Sequence, residues 1–188
     1  RTGFSLAKEI LTKQGYEVST LSLLTQTAVP DNTSILAIAG PRKPITPEEL
    51  DRIHAYVENG GHLLLMVDPE TQAELNPLLK HWGVGLGPGV LVDFQDRLAQ
   101  GEPTVLLVRT FTEHEITQDL TAAVLFPLAR HVTFDEQVGK DWDFVQLART
   151  SPNSRAVMKA TGRIIALDEK ADIKGPLPMA AALAPRTP

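Results

Sequence analysis

Two short apolar runs joined by a well-marked helix constrain the fold of this chain more than any other feature. The runs are Ile35–Ala39, which ends at Gly40-Pro41, and Leu63–Val67, which ends at Asp68-Pro69. Strands of this length without a polar face are typical of a sheet that is covered on both sides. The pattern therefore predicts two buried strands of one sheet.

The segment between the two runs carries the signals of a helix start and a helix end. Thr46 is a favourable N-cap, Pro47 suits the first helical position, and Glu49 completes a capping box. The helix is expected to stop at Asn59-Gly60-Gly61. A strand, a helix and a second strand in this order predict a right-handed crossover, and therefore a parallel sheet.

The rest of the chain predicts further elements. A helix is expected over Ser5–Gln14, a strand at about Tyr16–Leu23, and a short helix from Asn76-Pro77 that Gly83 ends. Short strands without long helices between them indicate an antiparallel extension or insertion in the second half, at Val90–Val92, Val105–Val108, Val124–Phe126, Val132–Phe134, Phe144–Ala148 and, as an edge strand, Met179–Leu183. The polar segment Phe94–Pro103 is expected to be a loop.

Composition excludes several classes of function. The 188 residues contain no cysteine, which removes thiol nucleophiles, Cys-ligated zinc and iron–sulfur clusters. The formal net charge of −5, with no basic stripe, argues against nucleic-acid binding. The apolar runs are shorter than a membrane-spanning helix requires. Because residue 1 is Arg without a signal-like segment behind it, we expect a fragment or a processed form.

Candidate ligand-binding residues follow the predicted parallel strands. Ligands of open α/β sheets bind at the carboxyl ends of the strands, so Asp68 and Asp93, with Gly40 and Pro41, are expected to line one edge. These carboxylates would bind a ligand or a cation. The alternative for each is that the side chain only caps the turn that follows it.

Two further segments are candidates for the same role. His114 lies between Glu113 and Glu115, whose charges favour the protonated imidazole, and it either orders a turn or contacts a ligand. Thr150 and Ser151 are best explained as part of an ST-turn, and they remain ligand candidates. The five histidines lack metal-ligand spacing, so no metal site, cofactor or catalytic residue is predicted.

An ordered set of segments resembles a known family. The segments are ILAIAGP (35–41), ITPEEL (45–50), YVENGGHLLLMVDP (56–69), LNPLLKHWG (75–83), VLVD (90–93), HEIT (114–117), LARTSPNS (147–154) and GPLPMAAA (175–182). Together they resemble the extracytoplasmic domain of gliding-motility-type auxiliary proteins of ABC transport systems. The resemblance extends from about Gly3 to Leu183.

The resemblance implies a flavodoxin-like or class I glutamine amidotransferase-like parallel-sheet sandwich. It also implies that residues 1–188 form a single extracytoplasmic α/β domain of a longer protein, anchored by membrane segments outside this chain. On that fold an amidotransferase would use a cysteine nucleophile. Because the chain has none, a non-catalytic relative is expected.

The function that follows from the resemblance is that of an auxiliary or ligand-binding domain on the periplasmic face of a bacterial inner membrane. Its expected partners are the ABC permease and ATPase subunits and a small-molecule or saccharide ligand. Two alternatives stay open. One is a degenerate amidotransferase-like hydrolase that uses Asp68 or His114 as acid or base, and the other is a protein-interaction scaffold for a membrane complex.

Overall fold

The computed structural model describes residues 3–71, 73–96, 101–161 and 164–186. The helices are α1 (Ser5–Lys13), α2 (Pro47–Glu58) and α3 (Asn76–Leu79), and a 3₁₀ turn follows at Lys80–Trp82. The strands are β1 (Ile35–Ala39), β2 (His62–Met66), β3 (Val84–Leu86), β4 (Val90–Val92), β5 (Val105–Val108), β6 (Val124–Pro127), β7 (Val132–Phe134), β8 (Trp142–Arg149), β9 (Arg155–Val157), β10 (Lys159–Thr161), β11 (Ile164–Ala166), β12 (Ile173–Lys174) and β13 (Pro178–Pro185).

The predicted strand–helix–strand unit is confirmed. β1 and β2 pair in parallel, with Ile35 opposite His62 and Ala39 opposite Met66. Helix α2 packs on one face of this pair, where its Leu50 and Ile53 join the first hydrophobic core. Helix α2 begins with the predicted capping box, because the Thr46 hydroxyl accepts from the Glu49 N–H and the Glu49 carboxylate accepts from the Thr46 N–H.

Removal of the N-cap side chain gives a first testable prediction. The Thr46 Oγ1 accepts from the Glu49 N–H at 3.3 Å, and a Glu49 Oε2 accepts from the Thr46 N–H at 3.0 Å. Since an N-cap of this kind contributes about 0.5–2 kcal/mol, Thr46→Ala should lower the free energy of unfolding by that amount in urea titrations. The exposed Ser34→Ala should change it by less than about 0.5 kcal/mol. Equal losses in both variants would contradict the role of the cap.

The opposite face of the β1–β2 pair is exposed, and this makes the predicted fold class wrong. The large apolar side chains Ile35, Leu64 and Met66 are all exposed on that face. Among the described residues, β1 with β2 is the one parallel pair, and the other pairs are antiparallel in small sheets. The chain is therefore not a flavodoxin-like or glutamine amidotransferase-like parallel-sheet sandwich.

The strand pairs of the second half are antiparallel, and most of them join strands that lie far apart in the sequence. The pairs are β3 with β7, β5 with β6, β8 with β13 and β10 with β11, and the order β12-β9-β4 forms a sheet of three. A second core lies among these strands and contains Leu91, Leu106, Ala148, Ala156 and Met179.

Two segments, one predicted as a strand and one as a loop, differ in how they compare with the structure. The strand expected at about Tyr16–Leu23 is wrong, because this segment has no strand partner in the described residues. It is held instead by the burial of Leu23 in the first core and by the bond from Arg52 Nη1 to the Leu23 carbonyl. The loop expected at Phe94–Pro103 lies partly outside the described residues, and its described part contains no helix or strand.

Candidate functional site

A polar pocket of about 250 Å³ opens where β4, β5 and β8 end. Three aliphatic side chains form its apolar wall, namely Leu106, Leu107 and Val108. Its remaining lining is polar or charged and consists of Asp93, Asp96, Arg109, Thr110, Arg149, Thr150 and Ser151. The structure therefore brings together three of the predicted ligand-binding residues, Asp93, Thr150 and Ser151.

Asp93 is buried, with 1% of its surface exposed, and it organises the turn after β4. One carboxylate oxygen, Oδ1, accepts from the Gln95 N–H at 2.9 Å and from the Asp96 N–H at 3.0 Å. The turn-capping alternative is thus correct for this oxygen. The other oxygen, Oδ2, is buried and has no hydrogen-bond partner among the described residues. Such an unmet acceptor needs an explanation, because buried polar atoms are normally paired.

The hydroxyl side chains after β8 are held by a compact turn. The Thr150 Oγ1 accepts from the Leu177 N–H at 2.8 Å, and the Ser154 hydroxyl lies within hydrogen-bond distance of both the Thr150 hydroxyl and the Ser151 carbonyl. The Ser151 Oγ accepts from the Asn153 N–H at 3.2 Å, which is the bond of an ST-turn. The turn interpretation is confirmed, and the same turn presents Thr150 and Ser151 to the pocket.

The charged side chains of the pocket are unequally paired. Arg109 Nη1 lies 3.4 Å from Asp96 Oδ1, and both side chains of this ion pair are about half exposed. Arg149 is exposed and has no ion-pair partner among the described residues. The pocket consequently offers an unpaired guanidinium at its rim and an unpaired carboxylate oxygen in its wall.

Gly40, Pro41 and Asp68 form a different cluster. The Gly40 N–H donates to the Met66 carbonyl at 2.8 Å, and a Cβ on Gly40 would lie 3.7 Å from Asp68 Oδ2. The Pro41 carbonyl accepts from the Thr71 hydroxyl. These residues do lie together at the carboxyl ends of β1 and β2. The expected edge shared with Asp93 is wrong, because β4 pairs with β9 and not with β1 or β2.

Arg130 attaches this second cluster to the following strands. Its Nη2 donates to the Gly87 carbonyl at 2.8 Å, and its Nη1 reaches the Asp68 carbonyl at 3.4 Å. Burial lowers the pKa of Arg130 from its usual value, yet a guanidinium stays protonated in proteins. The guanidinium is thus engaged with backbone carbonyls, and it ties the Asp68 turn to Gly87.

His114 stays within its own turn. Its Nδ1 accepts from the Ile116 N–H at 3.1 Å, and its carbonyl accepts from the Thr117 N–H at 2.9 Å. The residue is not part of the pocket lining. Of the two roles expected for His114, the structure therefore shows the ordering of a turn, and a contact with a ligand stays a prediction.

His131 is a titratable residue of this region that the sequence did not single out. It is 3% exposed, and its Nδ1 has no partner in the described part of the chain. The ring lies against Gly87, whose backbone N–H donates to the His131 carbonyl at 2.8 Å. Burial lowers the pKa of His131, and the charge of Arg130 lowers it further. The folded protein therefore favours the neutral imidazole.

The lowered pKa of His131 predicts a loss of stability in mild acid. The unfolded chain takes up the proton near its ordinary pKa of 6.5, before the folded protein does. The stabilisation is thus fully present above about pH 6.5 and is lost as the pH falls toward the lowered pKa of the folded state. Urea unfolding at pH 7.5 and pH 5.5 measures this loss. His131→Gln should reduce the difference, the exposed His62→Gln should not, and an unchanged difference in His131→Gln would refute the assignment.

The described residues contain neither a metal-ligating cluster nor a membrane-spanning helix. No group of three or more His, Asp or Glu side chains there is arranged to hold a metal ion. None of the described helices has the length and apolarity needed to cross a bilayer.

Sequence reasoning missed the charged half of the pocket. Asp96, Arg109 and Arg149 line it beside the predicted residues. A usable signal was present, because Arg109 directly follows the predicted strand at Val105–Val108 and Arg149 directly follows the one at Phe144–Ala148. Arginines that directly follow a predicted strand therefore indicate a binding site as well as carboxylates do.

In the described part of the chain the fold is mostly β-strand, with three helices, one parallel strand pair, several small antiparallel sheets and a polar pocket at strand ends. The chain belongs to the family described as ABC-type uncharacterized transport system, whose pattern matches residues 3–187. The resemblance of the ordered segments to auxiliary proteins of ABC transport systems is thus confirmed. The family is an auxiliary component of an ABC transport system, which associates the chain with transporter components and with a membrane-related system.

Comparison with solved structures gives a similar fold in the mmIFT52 N-terminal domain. The TM-score is 0.64 at 17% sequence identity, over 81% of this chain and 72% of the other. At this identity the likeness concerns the fold alone. A comparison with curated proteins gave no match.

Proposed function

We propose that this chain is a non-catalytic, ligand-binding domain of an ABC transport system auxiliary protein. The polar pocket at the ends of β4, β5 and β8 is its binding site. The observation that carries the proposal is the buried Asp93 Oδ2, which has no partner among the described residues. A ligand that donates a hydrogen bond to this oxygen would satisfy an acceptor whose unmet state costs about 1–3 kcal/mol.

The dimensions and polarity of the pocket support a small polar ligand. Its volume of about 250 Å³ is below the roughly 300–1,000 Å³ of sites for drug-sized molecules. Carboxylates, guanidinium groups and hydroxyls dominate the lining, beside one aliphatic wall. A saccharide or another compact polar molecule matches these properties better than a large apolar compound does.

The setting of this domain is part of the proposal. Membership of the family supports a role beside the permease and ATPase subunits of one ABC system. We place residues 1–188 as a single domain on the extracytoplasmic, periplasmic face of a bacterial inner membrane. Membrane anchorage is assigned to segments other than those of this chain.

Calorimetry and thermal unfolding test the binding proposal directly. The 188-residue chain is titrated with monosaccharides, amino acids, dipeptides and divalent cations. Saturation at 100 times Kd stabilises the folded state by about 2.7 kcal/mol, which is readily seen as a shift in Tm. Asp93→Asn keeps the Oδ1 acceptor and replaces Oδ2 by a donor, so the affinity of a ligand bound there should fall at least tenfold.

The matched control is Asp143→Asn. Asp143 lies on β8, the strand that ends at the pocket residue Arg149. It precedes Arg149 by six residues, or about 20 Å along an extended chain. Its carboxylate pairs with Arg186 at 2.7 Å, outside the pocket. This variant should keep the wild-type affinity. No binding by any probe would overturn the proposed function.

A scaffold in a membrane complex is the second candidate, and the exposed apolar surface favours it. Leu64 and Met66 on the open face of β2 are exposed, as are Phe4, Leu6 and Ile10 of the α1 region. Exposed apolar patches mark protein–protein surfaces. If the permease subunit covers this face, Leu64→Glu should abolish its co-purification with the co-expressed chain, while the equally exposed Leu125→Glu should not. Retained co-purification of Leu64→Glu would exclude this face.

The hydrolase alternative has no supporting contact among the described residues. Asp68 lies with Gly40 and Arg130, and His114 bonds within its own turn. General acid–base catalysis requires groups within hydrogen-bond reach of one reacting centre. The proposal therefore rests on binding.

A further inference from the structure

We propose that the pocket binds a small zwitterion, a molecule that carries an ammonium group and a carboxylate on one short carbon skeleton. Free amino acids are the simplest members of this class. The inference rests on the proposed function and specifies the chemistry of its ligand. Two unpaired groups of opposite charge in the same pocket lead to it, namely the carboxylate of Asp93 and the guanidinium of Arg149.

The buried carboxylate selects the ammonium end. Asp93 is almost fully buried, its Oδ1 already accepts two backbone bonds, and Oδ2 has none. A charged donor is the strongest available partner for a carboxylate in such a setting. The positive charge of the ammonium group would also offset the negative charge of Asp93, whereas the neighbouring Asp96 carries the same negative charge.

The free guanidinium selects the carboxylate end. Arg109 is paired with Asp96, whereas Arg149 has no ion-pair partner among the described residues. A guanidinium matches a carboxylate with two parallel hydrogen bonds.

The charge balance of the pocket disfavours the other ligand classes. Among the described residues, two aspartates and two arginines line the pocket, so their formal charges cancel. A divalent cation would face two guanidinium groups, and a phosphate would face the buried carboxylate of Asp93. A neutral sugar would form no ion pair with Arg149. A zwitterion answers both charges, and the aliphatic wall of Leu106 and Val108 accommodates its carbon chain.

Isothermal titration of the 188-residue chain with matched probes tests the inference. L-Alanine and γ-aminobutyric acid carry both charges at different separations, and at least one of them should bind. L-Alaninamide lacks the carboxylate and N-acetyl-L-alanine lacks the ammonium group, so each should bind at least tenfold more weakly than the better zwitterion. D-Glucose serves as the neutral polar probe.

Two arginine variants assign the carboxylate end. Arg149→Gln should weaken the zwitterion at least tenfold and should remove the advantage of the free acid over the amide. Arg186→Gln changes an arginine that pairs with Asp143 outside the pocket, so it should keep that advantage. If Arg149→Gln still binds the free acid more tightly than the amide, the assignment of the carboxylate end to Arg149 is wrong.

The outcomes separate this inference from the function beneath it. One outcome is that D-glucose binds, neither zwitterion binds, and Asp93→Asn abolishes the binding of D-glucose. This outcome would overturn the zwitterion inference and leave the ligand-binding function standing. Absence of binding by every probe would overturn both. Equal binding of L-alanine, its amide and its N-acetyl derivative would also refute the zwitterion, because neither charge would then be recognised.

Discussion

Gly83→Ala should lower the free energy of unfolding by about 2–5 kcal/mol. Gly83 ends the 3₁₀ turn at φ +69°, in the left-handed region, where an L-residue pays roughly 1–2 kcal/mol. A Cβ there would lie 2.6 Å from the Asp135 carbonyl oxygen and 2.7 Å from the Gly139 nitrogen. Both are backbone atoms that a rotamer change cannot move, so overpacking adds about 1–3 kcal/mol.

The chain offers a matched control for this substitution. Gly60 ends α2 at φ +88°, and a Cβ on it would meet nothing within 4 Å. Gly60→Ala therefore carries the conformational cost alone, about 1–2 kcal/mol. The difference between the two variants in urea unfolding measures the steric part at Gly83. Equal losses would show that the close approach of Asp135 and Gly139 contributes nothing.

The loss in Gly83→Ala has a structural consequence in the first core. The Gly83 carbonyl accepts from the Asp135 N–H at 2.7 Å, and this bond extends the β3–β7 ladder. Gly83 also follows Trp82, which is buried among the residues of that core. A shift of the turn would therefore disturb the ladder and the packing of the indole together.

The β1–α2–β2 unit was predictable because its signals are local. Thr46, Pro47 and Glu49 specify the start of α2 through interactions within four residues. In the same way, Gly83 predicted the end of the helical segment before it, because the left-handed conformation at that position favours glycine. The apolar runs gave β1 and β2 for the same reason. Their length did not reveal that one face of the pair stays open, because exposure depends on what else packs there.

The site was predictable only in part, because its members come from distant segments. Thr150 and Ser151 were recognised as neighbours in sequence, and their turn is local. Their proximity to Asp93 depends on β4, β5 and β8 sharing the second core. The pairing of β4 with β9 across more than 60 residues has no signature in spacing, so Asp93 was assigned to the wrong sheet edge.

Asp93→Ala should lower the free energy of unfolding by more than Thr46→Ala does, and Asp93→Asn should lower it by much less. Alanine leaves the Gln95 and Asp96 N–H groups without their acceptor, at about 1–3 kcal/mol for each donor that becomes buried and unpaired. Asparagine keeps an oxygen at the Oδ1 position and so preserves the turn.

If Oδ2 is reserved for a ligand, the two variants should bind equally poorly in calorimetry although their stabilities differ. Wild-type stability in Asp93→Ala would refute the role of the turn, and wild-type affinity in Asp93→Asn would refute the role of Oδ2, so the pair separates the structural oxygen of this carboxylate from the functional one.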